Sequence, residues 1–104
     1  MSPDSVQAMI DRLGETTILR RQGQSDLSVK AKVRFFSPAE LVGGIIQGDR
    51  RAAIGNAEIA AAGWPGPPKK GDFLVIDGAA RAVQACNSVK IGDDYAMHVL
   101  QVRG

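Results

Sequence analysis

The chain is poor in the residues that build covalent or catalytic chemistry: one cysteine, one histidine, one tryptophan and one tyrosine in 104 residues. With Cys86 alone there is no intramolecular disulfide framework, and His98 and Cys86 together cannot supply a zinc site made from Cys and His. No apolar run approaches the roughly 20 residues of a membrane span, and the opening MSPDSVQAMIDRLG, with Asp4 and Asp11 and no apolar core segment, does not read as a signal peptide. A charge bias is missing too. Thirteen basic and 11 acidic side chains leave a net +2, too near balance for composition to imply nucleic acid.

Catalytic groupings are equally scarce. His98 falls in an alternating C-terminal segment, where a structural imidazole is the ordinary alternative to a general base. Cys86 reads as a small half-buried apolar residue. Asp93-Asp94 would be half a metal site at most and otherwise solvates a loop. Gly43-Gly44 and Gly48-Asp49 are not followed by the Gly-Lys-Ser/Thr of a phosphate-binding loop. The expectation is a protein that is not an enzyme and carries no cofactor or metal.

What remains is ordinary globular composition, 44% hydrophobic and 23% charged, in a length that suits one domain with a modest core. Residues 1–14 read as a helix: Ser2 can cap, Pro3 suits the first turn, and Val6, Met9, Ile10 and Leu13 form one apolar stripe before Gly14. That stripe serves either as a flap over the chain's own sheet or as a docking helix for a partner. Glu15 to Gln22 and Leu27 to Phe36 then read as a hairpin. The second strand alternates, Leu27, Val29, Ala31, Val33 and Phe35 inward and Ser28, Lys30, Lys32, Arg34 and Phe36 outward.

Residues 37–68 read as an irregular loop region. Ser37-Pro38-Ala39-Glu40 matches a capping box, but Gly43-Gly44 stops a long helix. Arg50 to Ile54 is a short extended piece, Asn56 caps a turn over Ala57 to Ala62, and Gly63-Trp64-Pro65-Gly66-Pro67-Pro68 cannot be regular. Phe73 to Ile76, the turn dipeptide Asp77-Gly78 and Ala79 to Cys86 form a second hairpin, a loop spans Asn87 to Asp94, and Tyr95 to Arg103 is a final strand. Five or six short strands and one clear helix predict a mainly β fold, a small antiparallel β-barrel or sandwich in a single domain over 1–104.

Charge is local. Residues 15–36 hold five cations and two acids, an excess of three where the whole chain has two. Lys30, Lys32 and Arg34 share a strand face, with Arg20 and Arg21 nearby. This is either a surface for nucleic acid or an acidic partner, or a solvated face whose lysines block edge pairing. Arg50, Arg51, Lys69 and Lys70 extend the set of cations that a neighbouring subunit, a partner or DNA would meet. Trp64 is either the buried anchor of its loop or an exposed anchor for another subunit.

Three stretches carry a resemblance: Gln47 to Ile54 (QGDRRAAI), Pro67 to Gly78 (PPKKGDFLVIDG) and Tyr95 to Gly104 (YAMHVLQVRG). Together they resemble the small head–tail joining proteins, of neck or stopper type, of tailed phages and prophages. The resemblance implies a β-barrel subunit of a ring in a virion or phage-like particle, assembled in the bacterial cytoplasm. Its partners would be copies of itself and proteins on the portal or adaptor side and on the tail side. It also implies a loop that narrows the DNA channel and contacts DNA, and no membrane. A ring contact is heterologous, so two faces of one subunit must be complementary. The basic hairpin and the acidic turns at Asp77 and Asp93-Asp94 are candidates for those faces, and 37–68 for an insertable loop. The alternative function is a small β-barrel nucleic-acid-binding module that uses the basic hairpin.

Overall fold

The computed structural model describes residues 3–41 and 43–104. Helix α1 (Pro3–Leu13) is followed by β1 (Glu15–Arg20), β2 (Leu27–Phe35), β3 (Arg50–Gly55), α2 (Ala57–Ala61), β4 (Phe73–Ile76), β5 (Ala79–Ile91) and β6 (Asp94–Arg103). The six strands close into an antiparallel barrel in the order β1-β2-β3-β6-β5-β4. The expected mainly β fold with a short N-terminal helix is what forms, as a barrel rather than a sandwich. Ser2, expected to cap α1, lies outside the described residues.

Alternation explains the core. Leu19, Val29, Ala31, Ala52, Ile54, Leu74, Ile76, Val83, Leu100 and Val102 turn inward from all six strands and are buried together. Small residues meet branched ones across the ladder, Ala31 opposite Ile54 and Ala52 opposite Val33, which suits the interior of a narrow barrel. The Asp77-Gly78 turn joins β4 and β5 with both residues at positive φ, 51° and 79°, the geometry that matches strand twist in a two-residue hairpin.

Helix α1 lies against the barrel. Val6 and Ile10 are buried with Ala96, beside Ile91 and Met97, so the helix packs on its own sheet, as a flap does. Only part of the apolar stripe is used: Met9 and Leu13 remain exposed.

Three expectations need correction. Residues 37–68 are not irregular throughout, because β3 lies inside them and pairs with β2 and β6. The short extended piece expected at Arg50 to Ile54 is this strand, buried along most of its length. Asn87 to Asp94 is not a loop: β5 continues to Ile91 and turns through Gly92-Asp93, with Ile91 opposite Asp94. Polar Asn87 and Ser88 are tolerated mid-strand because Ser88 finds a buried partner in His98. Phe35 does not join the inner row; it sits at the barrel rim, 60% exposed.

Candidate interaction surface

Four of the nine predicted cations, Arg20, Arg21, Lys30 and Arg34, turn out to be hydrogen-bonded to side chains within the chain. Arg20 makes a two-pronged pair with Asp26, Nε to Oδ1 at 3.1 Å and a second bond at 3.0 Å. Arg34 pairs in the same way with Glu40 at 2.8 and 3.0 Å. Glu40 Oε1 also accepts the Ser37 N–H at 2.8 Å. The guanidinium and that N–H hold the Glu40 carboxyl at about 2, well below its usual range. The expected capping box therefore appears, but on a single 3₁₀ turn, Pro38–Glu40. Lys30 donates to Thr16 Oγ1 at 2.8 Å. Lys32 is exposed and has no side-chain partner among the described residues.

Arg21 is not a surface residue. Its guanidinium grips Asp72 at 2.8 and 2.7 Å and donates to the carbonyls of Pro65 and Pro67 at 3.2 and 3.0 Å. It also stacks 4.9 Å from the Trp64 ring centre. Trp64 is 9% exposed and belongs to the barrel core. Of the two readings of Trp64, the buried loop anchor is the one the structure adopts, so it does not project toward a partner. Lys69 and Lys70 are exposed, but the Lys69 N–H donates to Asp72 Oδ2 at 2.9 Å.

A second clasp has the same design. Arg103 grips Asp49, Nε to Oδ1 at 2.8 Å and a second nitrogen to Oδ2 at 2.9 Å. Gln101 adds a bond to Asp49 Oδ2 at 2.8 Å, and both side chains donate to the Gly44 carbonyl. Asp49 Oδ2 accepts the Ile46 N–H at 3.1 Å, just as Asp72 accepts that of Lys69. Each aspartate follows a glycine at φ near +100°, Gly48 at 97° and Gly71 at 100°, a conformation a Cβ would strain. The Arg103 guanidinium and these N–H donors hold the Asp49 carboxyl far below its usual range. The last paired residues of β3–β6 are Arg50 and Val102, and those of β1–β4 are Arg20 and Phe73. Asp49–Arg103 and Arg21–Asp72 are thus the next rung of each ladder, made of side chains.

These four residues escaped sequence reasoning as ion pairs. The repeated Gly-Asp at 48–49 and 71–72 was the available signal, read there as turn chemistry and as part of a resemblance.

His98 is fully buried. Its Nε2–H donates to Asn56 Oδ1 at 2.9 Å and the Ser88 hydroxyl donates to Nδ1 at 2.8 Å, with the Asn56 amide oxygen facing the ring. Burial pushes its pKa below the ordinary value, so the ring is a neutral structural element. Asn56 therefore does not cap α2 with its side chain; the Ala57 N–H is met by Gln7 Oε1 at 3.2 Å instead. Among the described residues no group of three or more His, Cys, Asp or Glu could hold a metal ion. No described helix is long and apolar enough to cross a membrane.

The free chemistry collects in two places. One is the rim where β2 ends and β3 begins. Arg50 lies 4.8 Å over the Phe35 ring with its buried Nε unpaired, and Arg51 stands opposite Arg34 without a carboxylate of its own. Beside them is a cavity of about 330 Å³ lined by Phe35, Phe36, Pro38, Leu41, Gln47 and Gly48. A second of about 290 Å³, between Ile45 and the β5–β6 strands, is lined in part by Phe36 and Cys86. Burial pushes the Cys86 thiol up. The other place is the β5–β6 arm. Strand β4 pairs with β5 only over Ala79 to Ala82, so the stretch from Gln84 to Ile91 has a strand neighbour on one side alone. The tip carries Asp93 and Asp94, both exposed, while Ile91 is braced by α1 and Tyr95 packs under Lys90 at 4.9 Å.

This geometry defines a closed six-stranded barrel with an apolar-basic rim and an acidic arm. No family model, no curated protein and no solved structure matches the chain.

Proposed function

We propose that the chain is a structural, non-enzymatic subunit that joins head and tail in a phage or phage-like particle, built as a ring in the neck. The observation that carries this reading is the β5–β6 arm, which outruns its β4 neighbour and packs against α1. The edge of β5 from Gln84 to Ile91, with no strand on its outer side, is suited to contact another chain, which would satisfy its backbone groups. The resemblance over Gln47 to Ile54, Pro67 to Gly78 and Tyr95 to Gly104 supports the same reading. Its motif residues include the Asp49–Arg103 clasp and the Asp72 half of the other, so what is alike is in part the construction of the barrel.

Electron microscopy of particles assembled with and without this chain tests the proposal. The expected result is a ring of added density between head and tail, and unjoined heads and tails when the chain is omitted. Joined, complete particles lacking the chain overturn it. The nucleic-acid alternative loses ground because Arg20, Arg21 and Arg34 of the basic hairpin are each committed to a carboxylate.

A further inference from the structure

We infer that the acidic tip of the β5–β6 arm docks onto the Phe35–Arg50–Arg51 rim of a second copy of this chain, which makes a head-to-tail contact. The inference rests on the ring-subunit reading above and names its interface.

The argument is one of charge and place. Asp93 and Asp94 have no cation partner, and Arg50 and Arg51 have no carboxylate partner, among the described residues. Most other strong charges outside the lysines are paired or hydrogen-bonded internally, as Arg20, Arg21, Arg34 and Arg103 are. The two unsatisfied sets cannot meet within one chain. Arg50 stands opposite Val102 near the end of β6, whereas Gly55, at the other end of β3, stands opposite Met97, and the tip lies beyond that. Opposite charge at opposite ends of one sheet is the arrangement that chains copies head to tail, because each copy keeps one free face of each sign.

Apolar chemistry agrees with the charges. The rim offers Phe35 and the neighbouring cavity of about 330 Å³, and the tip presents Tyr95, 36% exposed, next to its aspartates. Aromatic and arginine side chains are the usual centres of such contacts. Asp77 and Glu15 line a hollow with Arg34, Arg50 and Phe35 in their own chain. Among the described residues neither forms an ion pair with Arg50, but both offset charge on that side of the rim, so Arg51, opposite Arg34, is the cation with no acid beside it.

The test uses two neutralised variants of the full chain, Asp93→Asn with Asp94→Asn, and Arg50→Gln with Arg51→Gln, followed by sedimentation velocity over a concentration series. The parent chain is expected to self-associate and to dissociate as salt rises from about 0.1 to 1 M, where the screening length falls from roughly 10 to 3 Å. Each variant alone is expected to associate about tenfold more weakly or worse. An equimolar mixture of the two is expected to form one-to-one dimers and stop there, because only one intact tip and one intact rim remain.

A parent chain that stays monomeric at every concentration overturns the inference. So does a variant that associates like the parent, or a mixture that does not pair. If Arg50→Gln fails to fold, Arg51→Gln alone reads the outer side of the same rim, since successive side chains of β3 point to opposite faces. Pairing that persists in a chain never taken into particles upholds the contact and removes the neck assignment. Incorporation into particles without pairing overturns the contact and leaves that assignment standing.

Discussion

The two Gly-Asp clasps share a local design and differ in the ladder they extend. Asp49–Arg103 continues the β3–β6 ladder, which already has six residue pairs from Arg50–Val102 to Gly55–Met97. Arg21–Asp72 continues β1–β4, which has three, and that short ladder is the seam at which the barrel closes. Their surroundings differ as well. The Arg21 side chain is 11% exposed, under Trp64 and two proline carbonyls, whereas that of Arg103 is 37% exposed. A buried pair that loses one member leaves an uncompensated charge, while an exposed arginine is replaced in part by water. The same motif therefore holds the barrel shut at one place and fastens the 43–48 loop at the other.

The sharpest break of this comparison is Arg21→Leu, which leaves the Asp72 carboxylate buried without its partner. Its expected cost is about 3 kcal/mol in denaturant unfolding. Adding Asp72→Leu should recover part of that loss, and a double variant no better than the single would count against the ion pair as its source. Next in size are Gly71→Ala and Gly48→Ala, each about 1–3 kcal/mol from forcing a side chain into positive φ; equal transition midpoints for the two would show that ladder length does not matter. Arg103→Leu is expected to move the unfolding midpoint less than Arg21→Leu, yet to speed protease cleavage within residues 43–48, because the Gly44 carbonyl loses a donor.

The smallest effect is in acid. The folded Asp49 carboxyl titrates below its unfolded value of 3.8, so its stabilisation is complete above that value and is lost as pH falls toward the folded one. His98 adds a drift at milder pH. Its folded value lies below the unfolded 6.5, so stability begins to fall as pH drops through 6.5 and the unfolded chain takes up the proton. Urea midpoints followed from pH 7 to 3 should decline in both regions. Glu40 and Asp26, whose carboxyls are also held low by their arginines, lose their stabilisation in the same range. Asp49→Asn should therefore make the lower decline shallower, and an unchanged slope would remove Asp49 as a contributor.

The barrel was legible where side chains alternate without interruption. Leu27 to Val33, Phe73 to Ile76 and Tyr95 to Arg103 each read as strands because their inward residues are apolar and bury in one core. β3 showed only as a short extended piece at Arg50 to Ile54. Its place in the barrel between β2 and β6 was not legible, because Arg50-Arg51 sit at the rim and the small side chains of Ala52-Ala53 carry little periodic signal. The arm was hidden because Asn87 and Ser88 resemble loop residues until His98 is placed beside them. Among candidate site residues, the local run Lys30, Lys32 and Arg34 was visible from spacing. The pairing of Arg34 with Glu40 and of Lys30 with Thr16 was not, since the fold brings these partners together, and Asp72 reaches Arg21 across 51 positions of chain.

The seam between β1 and β4 also has a bearing on how the chain folds. Ile18, Leu19 and Arg20 pair with Val75, Leu74 and Phe73 across more than fifty positions of chain, and contacts so distant in sequence are expected to close late. The Arg21–Asp72 clasp forms with that last step. Its loss is therefore expected to speed unfolding and leave the folding rate nearly unchanged, with the amides of β1 and β4 the first of the barrel to exchange their hydrogens.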